Sequence, residues 1–283
     1  MPYAELPGVR LHYEEAGAGP PLVLLHGIGA SRQDWDFQVP AFARRYRVIT
    51  PDLRGFGQSE RSGNYGVATF AGDIWALLDL LKVDSFNLVG HSMGGAVALQ
   101  MAVDRPERIE RLVAADTLPS FQTNTFGKRI LFAYRYLMMG VLGPQRLSSA
   151  VAAKLFPGPN QQALRDRATA GGMANDRTVY LETLRQLLGW NVLGQLSRLT
   201  MPVLVLAAEH DYFPVADAEV FAKALHNARL KIFAGMHHAV PLEAPQAFNT
   251  AVLRFLSGQP AGHAGKKAIS RKDAKTPNKE IPV

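Results

Sequence analysis

A serine between two glycines is the residue with the clearest potential for covalent chemistry. Ser92 lies in the pattern Gly90-x-Ser92-x-Gly94, which follows an apolar run at 86–89 and precedes small and apolar residues at 95–102. This order predicts a buried strand, a tight turn and a helix, with the serine at the turn. The hydroxyl would then stand beside a helix N-terminus, where free N–H groups favour developing negative charge. A serine that only caps a helix is the alternative interpretation.

A serine hydroxyl is a weak nucleophile unless a histidine accepts its proton and a carboxylate orients that histidine. Candidates for both roles follow predicted strands. Asp116 and Asp211 each come after an apolar run, and the adjacent His237 and His238 follow a later one. The residue types alone therefore leave two carboxylates and two imidazoles open as partners of Ser92.

Strand and helix patterns alternate through most of the chain. Residues 3–14 alternate around a Pro-Gly pair and predict an antiparallel hairpin. Apolar runs predict buried parallel strands at 21–25, 46–50, 86–89, 109–115, 202–208 and 230–233. Apolar residues at helical spacing predict helices near 35–44 and at 68–81, 95–102, 216–225 and 245–256. We therefore predict an α/β fold with a doubly wound, mainly parallel sheet.

The strand pattern stops at 119–200, where four segments predict helices: 126–142, 146–156, 161–173 and 178–188. We interpret 119–200 as a helical cap inserted into a core formed by 1–118 and 201–257. Its apolar side chains are expected mainly to pack the cap, with a role in lining a substrate pocket left open. These residues are Phe132, Tyr134, Tyr136, Leu137, Met138, Met139 and Trp190.

The polar loops of the predicted core converge. In sheets of this kind, ligands bind at the carboxyl ends of the parallel strands. The loops that carry His26, Ser92, Asp116, Asp211 and His238 all follow predicted strands. We therefore expect these residues on one rim of the sheet, beneath the helical cap.

The composition narrows the class of protein. The chain has 283 residues, 47% of them hydrophobic, which is enough for a sizeable core, and no cysteine for a disulfide or thiol nucleophile. No His-x-x-x-His pair or carboxylate cluster predicts a metal site. Residues 1–8 lack a leader pattern, and no apolar stretch reaches the roughly 18 to 20 residues of a membrane span. We expect a soluble, cytoplasmic protein.

Most of the net charge of +7 comes from the end of the chain. Residues 258–283 hold six basic and two acidic side chains, without interleaved aromatic residues. We interpret this segment as a disordered basic tail, the alternative being an arm for nucleic acid or an anionic membrane. No nucleic-acid partner is predicted, and the oligomeric state is left open.

Taken together, the motifs of residues 3–256 resemble those of α/β-hydrolase-fold serine hydrolases with a helical cap. The resemblance rests on His26-Gly27-Ile28-Gly29, Asp52-Leu53-Arg54-Gly55-Phe56-Gly57-Gln58-Ser59, Gly90-His91-Ser92-Met93-Gly94-Gly95, Glu209-His210-Asp211, and His238 five residues before Glu243. Each stretch alone is a weak signal, and the set is a strong one.

The resemblance implies a role for each candidate residue. Ser92 would be the nucleophile, His238 the general base and then acid, and Asp211 the carboxylate that orients the histidine. The oxyanion hole would consist of the backbone N–H groups of Ile28 and Met93.

Two choices rest on this family pattern. The spacing onward to Leu242-Glu243-Ala244-Pro245 favours His238, although the family usually has glycine where this chain has His237. The common pattern likewise favours Asp211 over Asp116, which would then be a polar group or helix cap at the entry to the insertion.

The implied activity is cofactor-free hydrolysis of carboxylic esters or lactones, on small to medium apolar substrates, through an acyl-serine intermediate. Related capped hydrolases cleave thioesters, amides or carbon–carbon bonds, and some resemble cofactor-free peroxidases. Epoxide hydrolases and dehalogenases of the family use an aspartate nucleophile, which Ser92 argues against. The fold also serves as a low-turnover ligand receptor, an interpretation that an intact Ser, His and Asp set disfavours.

Overall fold

One eight-stranded sheet organises the computed structural model, which describes residues 2–122 and 126–259. The strands are β1 (Tyr3–Leu6), β2 (Val9–Ala16), β3 (Pro21–Leu25), β4 (Arg47–Pro51), β5 (Phe86–His91), β6 (Ile109–Ala115), β7 (Val203–His210) and β8 (Ala228–His237). Their order is β1-β2-β4-β3-β5-β6-β7-β8. The strands from β4 to β8 pair in parallel, and only β1 and β2 are antiparallel to their neighbours. The predicted doubly wound, mainly parallel sheet and its N-terminal hairpin are confirmed.

Helices follow most of the parallel strands. They are α1 (Val39–Phe42), α2 (Val67–Leu80), α3 (Met93–Asp104), α4 (Phe126–Leu137), α5 (Gly143–Leu155), α6 (Gln162–Met173), α7 (Arg177–Gly189), α8 (Val215–Lys223), α9 (Val240–Glu243) and α10 (Pro245–Leu256). Tighter 3-10 turns occur at Arg32–Trp35, Pro106–Arg108 and Leu193–Arg198, and a π turn at Met138–Leu142. Within the described ranges, none of these helices is both long and apolar enough to cross a bilayer.

The sheet is buried on both faces. Val23 and Leu25 of β3 pack in the core cluster that includes α2, α3 and α8, whereas Leu22 and Leu24 pack in the cluster that includes α1 and α10. Successive side chains of a strand point to opposite faces, so a strand covered on both sides must be apolar at every position. This is why the central strands appear in the sequence as continuous apolar runs.

The helix predicted near residues 35–44 is wrong. The chain forms a 3-10 turn at Arg32–Trp35 and then the short helix α1. Pro40 lies in the first turn of α1, where its missing N–H costs no hydrogen bond, but it could not have continued a helix begun at Trp35. Burial of Trp35, which is 1% exposed, accounts for the apolar signal that suggested one helix.

The last strand is longer than predicted. β8 runs over Ala228–His237 rather than 230–233, and it pairs with β7 as far as His237 opposite His210. Because β8 is an edge strand with a largely exposed surface, it carries polar residues, and the sequence lacks the apolar run that marks a buried strand. His238 consequently comes directly after the strand.

Four helices, α4 to α7, lie between β6 and β7 in the chain, within the segment 119–200 that we interpret as an insertion. The first of these helices is shorter than the predicted 126–142. The helix α4 ends at Leu137, and the π turn follows before Gly143, whose φ is +78°. The predicted disordered tail, 258–283, lies outside the described residues from 260 onward.

Candidate active site

Ser92 occupies a strained turn between β5 and α3. Its φ of +54° and ψ of −120° are rare for a residue with a side chain, and such strain persists only where the surroundings impose it. A β-carbon on Gly94 would lie 2.2 Å from the carbonyl oxygen of Leu25, and one on Gly90 would lie 2.3 Å from that of Gly94. The glycines therefore allow the close approach of strand, turn and helix that turns the serine outward.

Three side chains from three loops form a hydrogen-bonded chain. The Oγ atom of Ser92 lies 2.8 Å from Nε2 of His238, and Nδ1 of His238 lies 2.6 Å from Oδ1 of Asp211. Ser92 follows β5, Asp211 follows β7 and His238 follows β8, so each comes from the carboxyl end of a parallel strand. In this arrangement Nδ1 carries a proton toward the carboxylate, and Nε2 can accept the serine proton.

Asp116 lies nearby but does not contact His238. Its Oδ1 accepts a hydrogen bond from the backbone N–H of Ala208 at 3.0 Å, and its φ is +48°. Burial, followed by the charge of neighbouring Asp211, raises the pKa of Asp116 well above its ordinary value. The structure thus brings Asp211, and not Asp116, to the imidazole.

His237 points away from the serine. Its Nδ1 lies 3.0 Å from Oε1 of Glu243, whose Oε2 accepts the His237 backbone N–H at 2.6 Å. The same Oε1 accepts a hydrogen bond from Gln161, beside α6, at 2.9 Å. His237 therefore belongs to a polar contact between the insertion and the loop that follows β8, while the adjacent His238 faces Ser92.

His91, directly before Ser92, supports the His238 loop. Its Nε2 donates a hydrogen bond to the carbonyl oxygen of His238 at 2.7 Å. The two rings are 5.2 Å apart between centroids. Burial, reinforced by the charge of protonated His238, lowers the pKa of His91 to about 4. A neutral imidazole with its proton on Nε2 thus holds the backbone next to the His238 ring, a contact that joins residues 147 positions apart.

Two backbone N–H groups beside Ser92 have no acceptor among residues 2–122 and 126–259. They belong to Met93, the first residue of α3, and to Ile28 in the loop after β3. The loop approaches closely, since a β-carbon on Gly27 would lie 3.2 Å from Cβ of Ser92. Free N–H groups at a helix N-terminus and in a neighbouring loop suit a developing negative charge.

A pocket of about 120 Å³ opens over Ser92 and His238. Its apolar wall comes mainly from the π turn, α5 and α9, through Met139, Leu147, Val151, Leu155 and Leu242. Met139 alone of the seven insertion residues singled out from the sequence lines this pocket.

Two other insertion residues, Arg135 and Tyr180, also line the pocket. Neither could be recognised from the sequence, because a lone arginine or tyrosine in a helix has no distinctive spacing. Tyr212, directly after Asp211, was missed as well, and its ring lies 4.8 Å from the His238 ring. Among the exposed residues of the same insertion are Tyr134, Tyr136 and Leu137.

The described part of the chain contains no group of three or more histidine, cysteine, aspartate or glutamate side chains suited to a metal ion. His12 of β2 pairs with Asp52, in the buried loop after β4, at 2.9 Å. The same carboxylate accepts the backbone N–H groups of Arg32 and Gln58, so this buried cluster of polar atoms is accounted for by loop structure.

Comparisons with known proteins agree with this architecture. The hydrolase RutD of Caulobacter vibrioides, which is named for carbamate hydrolysis, is 30% identical over 260 residues, covering 88% of this chain and 96% of RutD. A soluble epoxide hydrolase from Corynebacterium sp. is 42% identical over 117 residues, 41% of each chain. The crystal structure of the enol-lactonase from Burkholderia xenovorans LB400 superposes with a TM-score of 0.83 at 26% identity, covering 90% of this chain and 100% of the lactonase.

The names of these relatives specify different substrate bonds: carbamate, epoxide and enol-lactone. The alpha/beta hydrolase fold family model matches residues 20–245, from the start of β3 to the start of α10. This span includes every strand of the parallel sheet and the loops that carry Ser92, Asp211 and His238. The chain belongs to the alpha/beta hydrolase fold family.

Proposed function

We propose that this protein is a serine hydrolase that cleaves carboxylic esters or lactones through an acyl-Ser92 intermediate, without a cofactor. The observation that carries the proposal is the hydrogen-bonded chain from Ser92 through His238 to Asp211, with separations of 2.8 and 2.6 Å. Its order and distances match the requirements of a nucleophile, a general base and an orienting carboxylate. The substrate is a small molecule held in the pocket over Ser92.

In the first half of the reaction, Oγ of Ser92 attacks the substrate carbonyl carbon while Nε2 of His238 takes the hydroxyl proton. The carbonyl oxygen becomes an oxyanion, which the N–H groups of Ile28 and Met93 stabilise. Asp211 stabilises the imidazolium that forms. The C–O bond to the leaving group then breaks, and His238 returns its proton to the departing alkoxide. For a lactone, that alkoxide remains attached to the acyl chain.

In the second half, water replaces the leaving group. His238 takes a proton from the water as it attacks the acyl carbon, and the tetrahedral intermediate collapses to release the carboxylic acid. Ser92 regains its proton from His238, so that atoms and charges balance over the cycle. We further propose that residues 119–200 act as the cap over a core of 1–118 and 201–257, because α5 and the π turn supply the apolar wall above the serine.

The relatives support a carbonyl substrate in different ways. Similarity to an enol-lactonase favours the lactone, and similarity to RutD favours a carbamate carbonyl as a second substrate class. Both fit the same nucleophile and base. The similarity to an epoxide hydrolase carries less weight, because it spans 41% of the chain and because a serine occupies the position of the family's aspartate nucleophile in those enzymes.

The test compares two serine variants on a panel of p-nitrophenyl esters, lactones and carbamates. Ser92→Ala should lower kcat by about 10³-fold or more, as expected for loss of a nucleophile. Ser148→Ala is the matched control, because Ser148 lines the same pocket but donates its hydroxyl to the carbonyl oxygen of Pro144 at 2.6 Å. It should keep at least half of the activity.

A fluorophosphonate probe supplies an independent readout, since it should label Ser92 and fail to label the Ser92→Ala variant. If that variant retains more than a tenth of the wild-type rate, Ser92 is not the nucleophile. A single burst of product without steady turnover would instead favour the low-turnover receptor.

A further inference from the structure

Among the described residues, three acidic or basic side chains other than histidine line the pocket over Ser92. Their opposite charges are not evenly paired. The three side chains are Asp34, Arg135 and Arg167. Arg167 already has partners, since it pairs with Asp36 at 2.7 Å and lies over the ring of Phe37. Asp34 is close enough to Arg167 to feel its charge. One end of the pocket is therefore internally compensated.

Arg135, on α4, lacks such compensation. No carboxylate in residues 2–122 or 126–259 forms an ion pair with it. The groups that face it are the phenols of Tyr180, on α7, and Tyr212, after β7. Its guanidinium lies over the Tyr212 ring, 4.9 Å from the centroid. A guanidinium remains protonated in a protein and carries five N–H donors, more than two phenol oxygens can accept from, so the pocket holds a permanent cation without a carboxylate partner.

Arg135 lies close to the groups proposed to react, through the ring of Tyr212. Both Arg135 and His238 contact the Tyr212 ring, whose centroid is 4.9 Å from the guanidinium carbon and 4.8 Å from the imidazole centroid. Arg135 also lines the same pocket as Ser92. An anionic group bound by Arg135 would thus lie one aromatic ring away from the general base, within reach of a short acyl or alkoxy chain whose carbonyl is at Ser92.

Keeping a cation in a cavity with an apolar wall is unfavourable unless something satisfies it. Stacking on the Tyr212 ring and contact with the phenols of Tyr180 and Tyr212 supply part of that stabilisation. A carboxylate would supply the rest, because its two oxygens match the planar fork of guanidinium N–H donors.

We propose that Arg135 is the specificity-determining residue that binds a free carboxylate on the substrate. The preferred substrates are then short-chain esters or lactones that carry a second, ionised carboxyl group, rather than wholly apolar esters. This inference rests on the proposed function for the reaction at Ser92, but the recognition of the anion is a separate property of the pocket and can be measured separately.

The activity test uses substrate pairs that differ only in charge. The first pair is mono-p-nitrophenyl adipate and the p-nitrophenyl ester of adipamic acid, which carry a carboxylate and a neutral amide, respectively, on the acyl side of the ester. The second pair is 4-acetoxybutanoate and 4-acetoxybutanamide, which carry the same two groups on the leaving-group side. We expect the wild-type kcat/KM to favour the charged member of at least one pair by 10-fold or more. The pair that responds identifies which side of the scissile bond faces Arg135.

Three variants assign this preference to one residue. Arg135→Gln should lower the ratio of charged to neutral kcat/KM by about 10- to 100-fold, mainly through KM, as expected for loss of hydrogen bonds to a charged group. Arg135→Lys should restore part of the ratio, because it keeps the charge and loses the fork. Arg167→Gln is the matched control from the compensated end of the pocket and should change the ratio less than threefold. The inference is overturned if neither pair shows a preference, or if Arg167→Gln removes it while Arg135→Gln does not.

A binding measurement separates this inference from the proposed function. Isothermal titration of the Ser92→Ala variant with monomethyl adipate and with methyl adipamate needs no turnover. Tighter binding of the acid, lost in the Ser92→Ala, Arg135→Gln double variant, would support the anion site even if no ester is hydrolysed. Equal binding of acid and amide, together with Ser92-dependent turnover of neutral esters, would reject the anion site and leave the proposed function standing. Thermal unfolding of each variant checks that the protein remains folded. If Arg135→Gln is unfolded, the charged-to-neutral ratio is taken from Arg135→Lys instead.

Discussion

The Oδ1 atom of Asp211 lies 2.6 Å from Nδ1 of His238, on the side of the imidazole opposite Ser92. The other buried carboxylate of this rim, Asp116, lies with its Oδ2 3.6 Å from Nε2 of His91 instead. Its pKa is raised by burial and by the charge on Asp211. The two acids therefore differ in their contacts, and only Asp211 is placed to stabilise a His238 ring that becomes positive.

Replacing each acid by its amide should separate their roles. Asp211→Asn removes the charge and allows the wrong imidazole tautomer, a change that can lower kcat by about 10⁴-fold. Asp116→Asn should lower kcat by less than 10-fold, because Asp116 does not contact His238 and accepts a hydrogen bond from the backbone N–H of Ala208 instead. Both variants are compared at one pH on one p-nitrophenyl ester. A larger loss at Asp116 would assign the orienting role to that residue.

The adjacent histidines allow an equally direct comparison. His238→Ala should lower kcat by about 10³-fold or more, because the serine loses its proton acceptor. His237→Ala should lower it less than 10-fold, since His237 contacts Glu243 rather than Ser92. Loss of the Glu243 contact should instead appear as a lower melting temperature. Exogenous imidazole gives a further check, because it can restore activity only where the missing ring was the base.

The glycines of the Ser92 turn predict where a single methyl group would disrupt the site. A β-carbon at Gly94 would lie 2.2 Å from the backbone oxygen of Leu25, which cannot move without displacing β3. Gly94→Ala should therefore lower the free energy of unfolding by about 1–3 kcal/mol and reduce activity.

Gly72→Ala is the matched control for this substitution. Gly72 lies in α2, and a β-carbon there meets no atom within 4 Å. Since alanine favours helix more than glycine, this variant should be as stable as the wild type or more stable. Urea denaturation of both variants measures the difference, and equal effects would contradict the proposed packing of the turn.

The sequence was sufficient to predict which residues of the candidate site lie together at the ends of the parallel strands. Ser92, Asp211 and His238 each come at the end of an apolar run, and parallel strands bring their carboxyl ends to one rim. The choice between His237 and His238 required the family spacing, because β8 is an exposed edge strand whose end has no apolar signal.

The cation of the pocket could not be predicted in this way. Arg135 meets Tyr212 across a contact between the inserted helix α4 and the loop after β7, 77 positions later in the chain. Such a pairing depends on how the insertion packs over the sheet, and neither local periodicity nor motif spacing encodes it. The same reasoning applies to His91 and the carbonyl oxygen of His238. Long-range packing, rather than residue type, turns these side chains into parts of the site.

Asp34 provides a test of the pocket's electrostatics that is independent of any substrate. It lies in the turn Arg32–Trp35 and lines the pocket. Burial raises the pKa of Asp34 from 3.8 to about 7, with Arg167 opposing the rise and Asp36 adding to it. Between these two values the folded protein holds a proton that the unfolded chain has released. Folding stability contributed by Asp34 is therefore greatest at low pH and is lost as the pH rises through about 7.

Asp34→Asn abolishes this titration and keeps the shape of the side chain. The melting temperature of the variant, relative to the wild type, should thus be higher at pH 8 than at pH 5, by about 2 °C or more. Asp36→Asn is the control, because Asp36 is exposed and pairs with Arg167 at 2.7 Å, so its removal should not reproduce this trend. Differential scanning calorimetry at intervals between pH 5 and pH 8 follows both differences. A constant difference for Asp34→Asn across that range would mean that Asp34 is ionised throughout and that the pocket is more hydrated than its lining indicates.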